Sequence, residues 1–234
     1  MSIPENIALV RQKIAAAAAR VRRQPEEITL MAVSKTIEPE RIREAYAAGL
    51  RVFGENRVQE FEKKSSALAE LKEAEWHLIG HLQSNKAKKA AELFQGLDSV
   101  DSLHLAQKLN DAARQMGKVL PVLIEIKVSD EESKAGIPLG SPELENLLSG
   151  AAALDHIQVR GLMTVPPFTE DPEGARVFFR LLRDRRDQIA ARKLPRIQMD
   201  VLSMGMSHDF EVAIEEGSTC VRVGTAIFGA RPKP

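Results

Sequence analysis

The chain is short of several things, and each shortage removes a class of explanation. Of its 234 residues one is cysteine, Cys220, so an intrachain disulfide framework and a cysteine-rich zinc site are both excluded, and a reducing compartment is expected. Lys+Arg and Asp+Glu stand at 33 each, so the formal net charge is zero and no global field recruits nucleic acid or an anionic membrane. No run approaches the ~20 apolar residues that span a bilayer. The N-terminal "MSIPENIALVRQKIAAAAARVRRQPEE" interrupts its alanines with Arg11, Lys13, Arg20, Arg22 and Arg23, and reads as an amphipathic helix over about residues 3–22 rather than a signal peptide. Walker-type and GxGxxG loops are missing. These absences predict a cytoplasmic protein with a small ligand, no nucleic acid and no membrane.

What is present is alternation. Short β-branched runs at 28–34, 51–54, 76–80, 97–101, 119–128, 156–165, 197–203 and 219–224 are separated by segments of helical period. Pro39 opens one helix and Gly49 follows its end; Ser102 precedes "LHLAQKLNDAARQMG", and Ser141-Pro142 precedes "ELENLL". Within 39–49 the residues Ile42, Ala45, Tyr46 and Gly49 share a face that would pack on a sheet. Eight βα units predict an α/β fold, a (β/α)8 TIM-type barrel over about 28–230 in one domain, 1–234, preceded by the extra helix.

A barrel of this kind places function at the C-terminal ends of its strands. There the sequence carries Lys35, "GENR" at 54–57, "GHLQSNK" at 80–86, "SMGMSHD" at 203–209 and "GTAIFG" at 224–229. Period two puts Thr29, Met31, Val33 and Lys35 on one face of the first strand. Lys35 is then either an amine rising from the barrel floor or a lysine snorkelling at the rim. The 203–209 and 224–229 loops offer amides and hydroxyls suited to phosphate, the alternative being that Ser207 caps the next helix and Gly224 makes a turn. Arg222 shares a face with Cys220 and Gly224, so it points inward, where it needs a carboxylate partner or a ligand. His77 and His81 lack the further ligands of a metal site, and none is expected. Ser207-His208-Asp209 holds triad residue types, but adjacency in one loop does not give triad geometry. A strand-end lysine, a phosphate cradle and an inward arginine suit a phosphorylated aldehyde held as a Schiff base, either a sugar phosphate or pyridoxal phosphate.

The segments "AVSKTIEPERIREAYAAGLRVFGENRVQEFEKK", "WHLIGHLQSNK", "SVDS", "VRGLMTVPPF" and "LSMGMSHDFEVAIEEGSTCVRVGTAIFG" resemble the pyridoxal phosphate homeostasis protein family, the YggS/PROSC type. That resemblance implies a barrel similar to the N-terminal domain of alanine racemase, with pyridoxal 5'-phosphate carried by Lys35 as a Schiff base. It places Asn56 near the cofactor ring, Ser203 and the amides around Gly205, Gly224 and Thr225 on the phosphate, and Arg222 at the pyridine nitrogen.

An arginine there disfavours protonation of the ring nitrogen and makes the ring a poorer electron sink. Alanine racemase also pairs its lysine with a tyrosine from a further β-domain. This chain ends at Pro234, and its one tyrosine, Tyr46, falls on the outer helix. The expectation is a monomer that holds the cofactor reversibly and delivers it to apoenzymes, without robust catalysis of its own. An amino-acid racemase is the alternative, with a histidine or cysteine in place of the tyrosine. Lys134 is another amine near the mouth, read as a solvated loop residue.

Overall fold

The computed structural model describes residues 1–131 and 134–230. Ser133 and the last residues, up to Pro234, lie outside them. The chain opens with α1 (Ile3–Arg20), whose start is fixed reciprocally: the Glu5 amide donates to Ser2 Oγ, and the Ser2 amide donates to the Glu5 carboxylate at 2.8 Å. Its apolar stripe, Ile3, Ile7, Val10 and Ile14, is buried, and each such side chain contributes about 1.5–3 kcal/mol on leaving water. The helix stops two residues short of the expected end because Arg22 takes a left-handed φ of +58°.

Then come β1 (Thr29–Val33), α2 (Pro39–Ala47), β2 (Val52–Glu55), α3 (Val58–Ser65), β3 (Glu75–Leu78), α4 (Ala87–Leu93), β4 (Gly96–Val100) and α5 (Leu103–Gln115). The second half holds β5 (Leu120–Lys127), β6 (Ile137–Pro138), α6 (Pro142–Ala151), β7 (Ile157–Met163), α7 (Arg176–Ala191), β8 (Ile197–Met206), α8 (Phe210–Glu215), β9 (Cys220–Val223) and α9 (Thr225–Phe228). Eight strands pair in parallel in the order β4-β3-β2-β1-β9-β8-β7-β5, and β4 also pairs with β5, which closes the barrel. The expected eight-stranded architecture is therefore present, with one addition. Residues 137–138 form a short strand on the outer end of β5, pairing Ile126 with Ile137.

Strand faces follow the period of two. Ala32 points outward into the helix layer while Met31 and Val33 line interior cavities. Aromatic residues are few, and several gather at one place. Phe53 stacks on Trp76 at 5.0 Å, Trp76 meets Phe61 at 4.7 Å, and Phe61 meets Phe94 at 5.0 Å. This cluster pins α3 against β2 and β3. Arginines of α7 also anchor the fold: Arg176, Arg180 and Arg183 all reach the carboxylate of Glu216, which is 4% exposed. A buried carboxylate needs such donors, and their spacing places all three on one helix face. Among the described residues no helix is long and apolar enough to cross a membrane.

Candidate functional site at the barrel mouth

Lys35 stands two residues beyond β1, at the rim of a cavity of about 350 Å3. Asn56, Arg222, Gly224 and Thr225 line the same cavity, so five of the residues singled out from sequence meet at one mouth. Its apolar walls come from Val33, Ile79, Val165 and Met206. Such a space takes a flat ring with polar groups at its edges.

Asn56 reaches this position because the neighbouring loop gives way to it. A Cβ on Gly80 would lie 2.4 Å from the Asn56 carbonyl oxygen and 2.9 Å from its Cα, so only glycine allows that backbone approach.

Arg222 is 3% exposed. Its Nη1 donates to Ser203 Oγ at 2.6 Å and its Nη2 donates to the Thr164 carbonyl at 2.6 Å, while the Thr164 hydroxyl donates to the Ile126 carbonyl. Burial pulls the Arg222 pKa below that of a free guanidinium, against the opposing influence of Cys220, Asp98, Glu125 and Asp209. Having donors and no acceptor, it can serve only an acceptor atom in the cavity.

Two other expected residues lie elsewhere. Ser203 is fully buried and holds Arg222 from below; it is not on the cavity wall. Gly205, at φ +92°, makes room for α8: a Cβ there would come within 2.5 Å of the Ala213 Cβ and 2.9 Å of the Phe210 Cα. Lys134 is not on the wall either.

Ser207 is the serine that lines the cavity, and it does not cap the following helix. Asp209 occupies the cap position, where its carboxylate accepts the Met206 amide at 2.6 Å. Ser207 Oγ instead accepts the amides of Gly224 at 3.2 Å and Ala226 at 3.4 Å. Both lone pairs are thereby engaged, and the hydroxyl hydrogen remains to be donated. The Ser207 hydroxyl, oriented by those amides, and Thr225 form a donor set suited to an anion. The serine was visible in the sequence; only the contact between the two loops distinguishes it from Ser203.

His208 also lines the cavity, and sequence reasoning had set it aside. Its Nε2 lies 3.1 Å from both the Thr169 and Glu170 carbonyls, so Nε2 carries a hydrogen. The exposed ring of Phe168 rests against it at 5.3 Å. Glu125 on β5 escaped notice as well: it is 6% exposed, Oε2 has no hydrogen-bond partner, and burial followed by the charge of Asp101 lifts its pKa to about 7. A carboxylate inside an apolar strand is the signal that could have found it. At the opposite end of the barrel a second cavity, about 390 Å3, surrounds Met31, His77, Asp98 and Cys220. Burial pushes the His77 pKa down, but Asp98 at 2.9 Å outweighs it and the imidazole ends above its usual value.

The chemistry of the mouth fits a phosphorylated aromatic aldehyde: an amine, an anion-binding loop pair, an inward guanidinium and apolar walls. Comparison with known proteins bears on that fit. Residues 7–232 match the family model described as alanine racemase, N-terminal domain. The chain is 48% identical over 232 residues to the pyridoxal phosphate homeostasis protein of Escherichia coli (strain K12), covering 98% of this chain and 97% of that protein. The solved structure of PipY from Synechococcus elongatus PCC7942, described with PLP bound, has 39% identity and a TM-score of 0.81, covering 92% of this chain and 100% of that one. An alanine racemase of Clostridium difficile 630 is similar in fold alone, with a TM-score of 0.70 at 16% identity, covering 98% of this chain and 58% of that one.

Proposed function

The chain belongs to the pyridoxal phosphate homeostasis protein family, and from that membership we propose that it binds pyridoxal 5'-phosphate reversibly as a Schiff base on Lys35 and passes it to apoenzymes. The observation that carries the reading is the convergence of Lys35, Arg222 and the two amide-rich loops on one cavity. When bound, the cofactor supplies an electrophilic aldehyde that an amine captures and releases. Lys35 provides that amine. The Ser207 hydroxyl and Thr225 hold the phosphate, the amides of Gly224 and Ala226 orient Ser207, and Asn56 packs beside the ring. Ser203 acts indirectly, by fixing Arg222.

Arg222 favours holding over catalysis. A guanidinium can only donate, so it stabilises an unprotonated ring nitrogen and withholds the positive charge that makes a strong electron sink. Tyr46 cannot supply an opposing proton, because it lies on α2 with its ring under the Arg51 guanidinium at 4.1 Å. His208, which lines the same cavity as Lys35, supports a second reading, a weak amino-acid racemase with this imidazole as the second base.

The test is transfer. Protein loaded with pyridoxal phosphate is mixed with an apoenzyme, and reactivation is timed against the rate of free release. Reactivation faster than release supports delivery; reactivation at the release rate removes it. Borohydride reduction of loaded wild-type protein should fix the cofactor on the Lys35 peptide, and full-yield trapping in Lys35→Ala would sink the Lys35 assignment. Rapid Cα exchange with L-amino acids in deuterated water would favour the racemase.

A further inference from the structure

We propose that Glu55, Lys64 and Glu60 form an ion cluster behind the barrel wall that positions Lys35, by gripping the backbone on both sides of it. The proposal deepens the reading above and rests on Lys35 being the capturing amine.

The geometry is explicit. Before Lys35, the Ser34 carbonyl accepts the Lys64 ammonium at 2.9 Å, and the Ser34 hydroxyl donates to Glu55 Oε1 at 2.5 Å. After Lys35, the Thr36 amide donates to Glu60 Oε1 at 2.5 Å. The three side chains are joined through Lys64, whose Nζ lies 2.8 Å from Glu55 and 3.6 Å from Glu60. Ser34 and Glu55 are fully buried, and the Lys64 side chain is 11% exposed.

The backbone requires such support. Thr36 has φ +60°, a left-handed conformation that a β-branched residue adopts only where its surroundings over-determine it. A more extended Thr36 would swing the chain away from the mouth as it leaves β1. Glu60 and Lys64 sit one turn apart on α3, so they present themselves together. That helix is itself fixed: Phe61, between them, is buried in the aromatic cluster with Trp76 and Phe94. A rigid helix therefore sets the backbone from which the Lys35 amine extends. None of the three side chains is on the cavity wall, so they act through Lys35 and not on the ligand.

The experiment uses full-length protein with Glu60→Ala, Glu60→Gln and Lys64→Met. Glu60 is partly exposed, which makes Glu60→Ala tolerable to the fold, and glutamine retains an oxygen for the Thr36 amide. Pyridoxal phosphate affinity in Glu60→Ala should fall about tenfold or more, as a small displacement of a reacting group implies, with restoration in Glu60→Gln and an unchanged melting temperature of the cofactor-free protein. The pH midpoint of the cofactor's visible band should move in Glu60→Ala and Lys64→Met but not in Glu60→Gln. Hydrogen exchange at the Thr36 amide and reductive methylation of Lys35, both measured without cofactor, should rise in Glu60→Ala. Wild-type affinity, pH midpoint and Thr36 protection in Glu60→Ala would overturn the proposal. Should wild-type protein trap no cofactor on Lys35, the functional reading fails, and the exchange and methylation rates still decide the positioning role.

Discussion

Arg222 Nη1 and Ser203 Oγ are 2.6 Å apart in the barrel interior, and this bond separates the serine that supports the site from the serine that faces it. Ser203 spends its oxygen on the guanidinium. Ser207, four residues on, spends its oxygen on the amides of the neighbouring loop and keeps its hydrogen for the cavity.

The two serines should therefore respond differently to truncation. Ser207→Ala is expected to weaken pyridoxal phosphate binding about tenfold or more, through one lost donor to the anion and the release of the Gly224 and Ala226 amides that join the two loops. Ser203→Ala is expected to cost about 1–3 kcal/mol of stability, because it leaves a buried guanidinium donor unpaired. Titration by absorbance and urea unfolding of both variants check the contrast; a larger affinity loss in Ser203→Ala would reverse the assignment.

Glu125 makes stability depend on pH. Its folded pKa is raised from 4.5 to about 7, so between those values the folded protein binds a proton that the unfolded chain has released. Its contribution is fully present below pH 4.5 and is lost as pH rises through about 7. Asp101 reinforces the shift, while Arg222 and His81 oppose it. Glu125→Gln is expected to match wild type near pH 4.5 and to exceed it by about 3 kcal/mol above pH 7. Urea midpoints across this range, compared as a difference between variant and wild type, isolate this group from the others that titrate.

Gly80→Ala tests the approach of the two loops. Its new methyl would meet the Asn56 backbone, which is not the flexible end of a side chain. The expected result is a loss of about 1–3 kcal/mol in stability with weakened cofactor binding, because Asn56 must move. Unchanged binding would show that Asn56 has no contact with the ligand.

Cys220 should be chemically silent in the folded protein. It is buried, and desolvation followed by the Asp98 charge lifts its thiol to about 12, with Arg222 and Ser203 only partly offsetting this. Native protein is expected to resist iodoacetamide and denatured protein to react fully. Rapid modification of native protein would mean that the cavity around His77 and Asp98 opens readily to solvent.

The alternation of strands and helices, the cap at Ser102 and the inward parity of Met31 and Val33 are local properties, set by chain geometry within a few residues. They were legible without coordinates. Arg222 was legible for the same reason, since β9 is short and regular and its parity survives to the mouth. Glu125 and His208 were not, because a carboxylate or imidazole gains meaning only from what burial places around it.

Sequence by itself thus determined the order of the βα units and, to within a few residues, where each strand lies. Tertiary structure decided which residues share a wall. The pairing of β8 with β9 shifts register between Ser203 and Met206, so parity counted from the start of β8 does not carry through to its end. That irregularity leaves Ser203 beneath Arg222 and Ser207 on the cavity. The grip on Lys35 was likewise decided in three dimensions, because Glu55, Glu60 and Lys64 lie 20 or more residues further along the chain and meet Ser34 and Thr36 only once the aromatic cluster has seated α3.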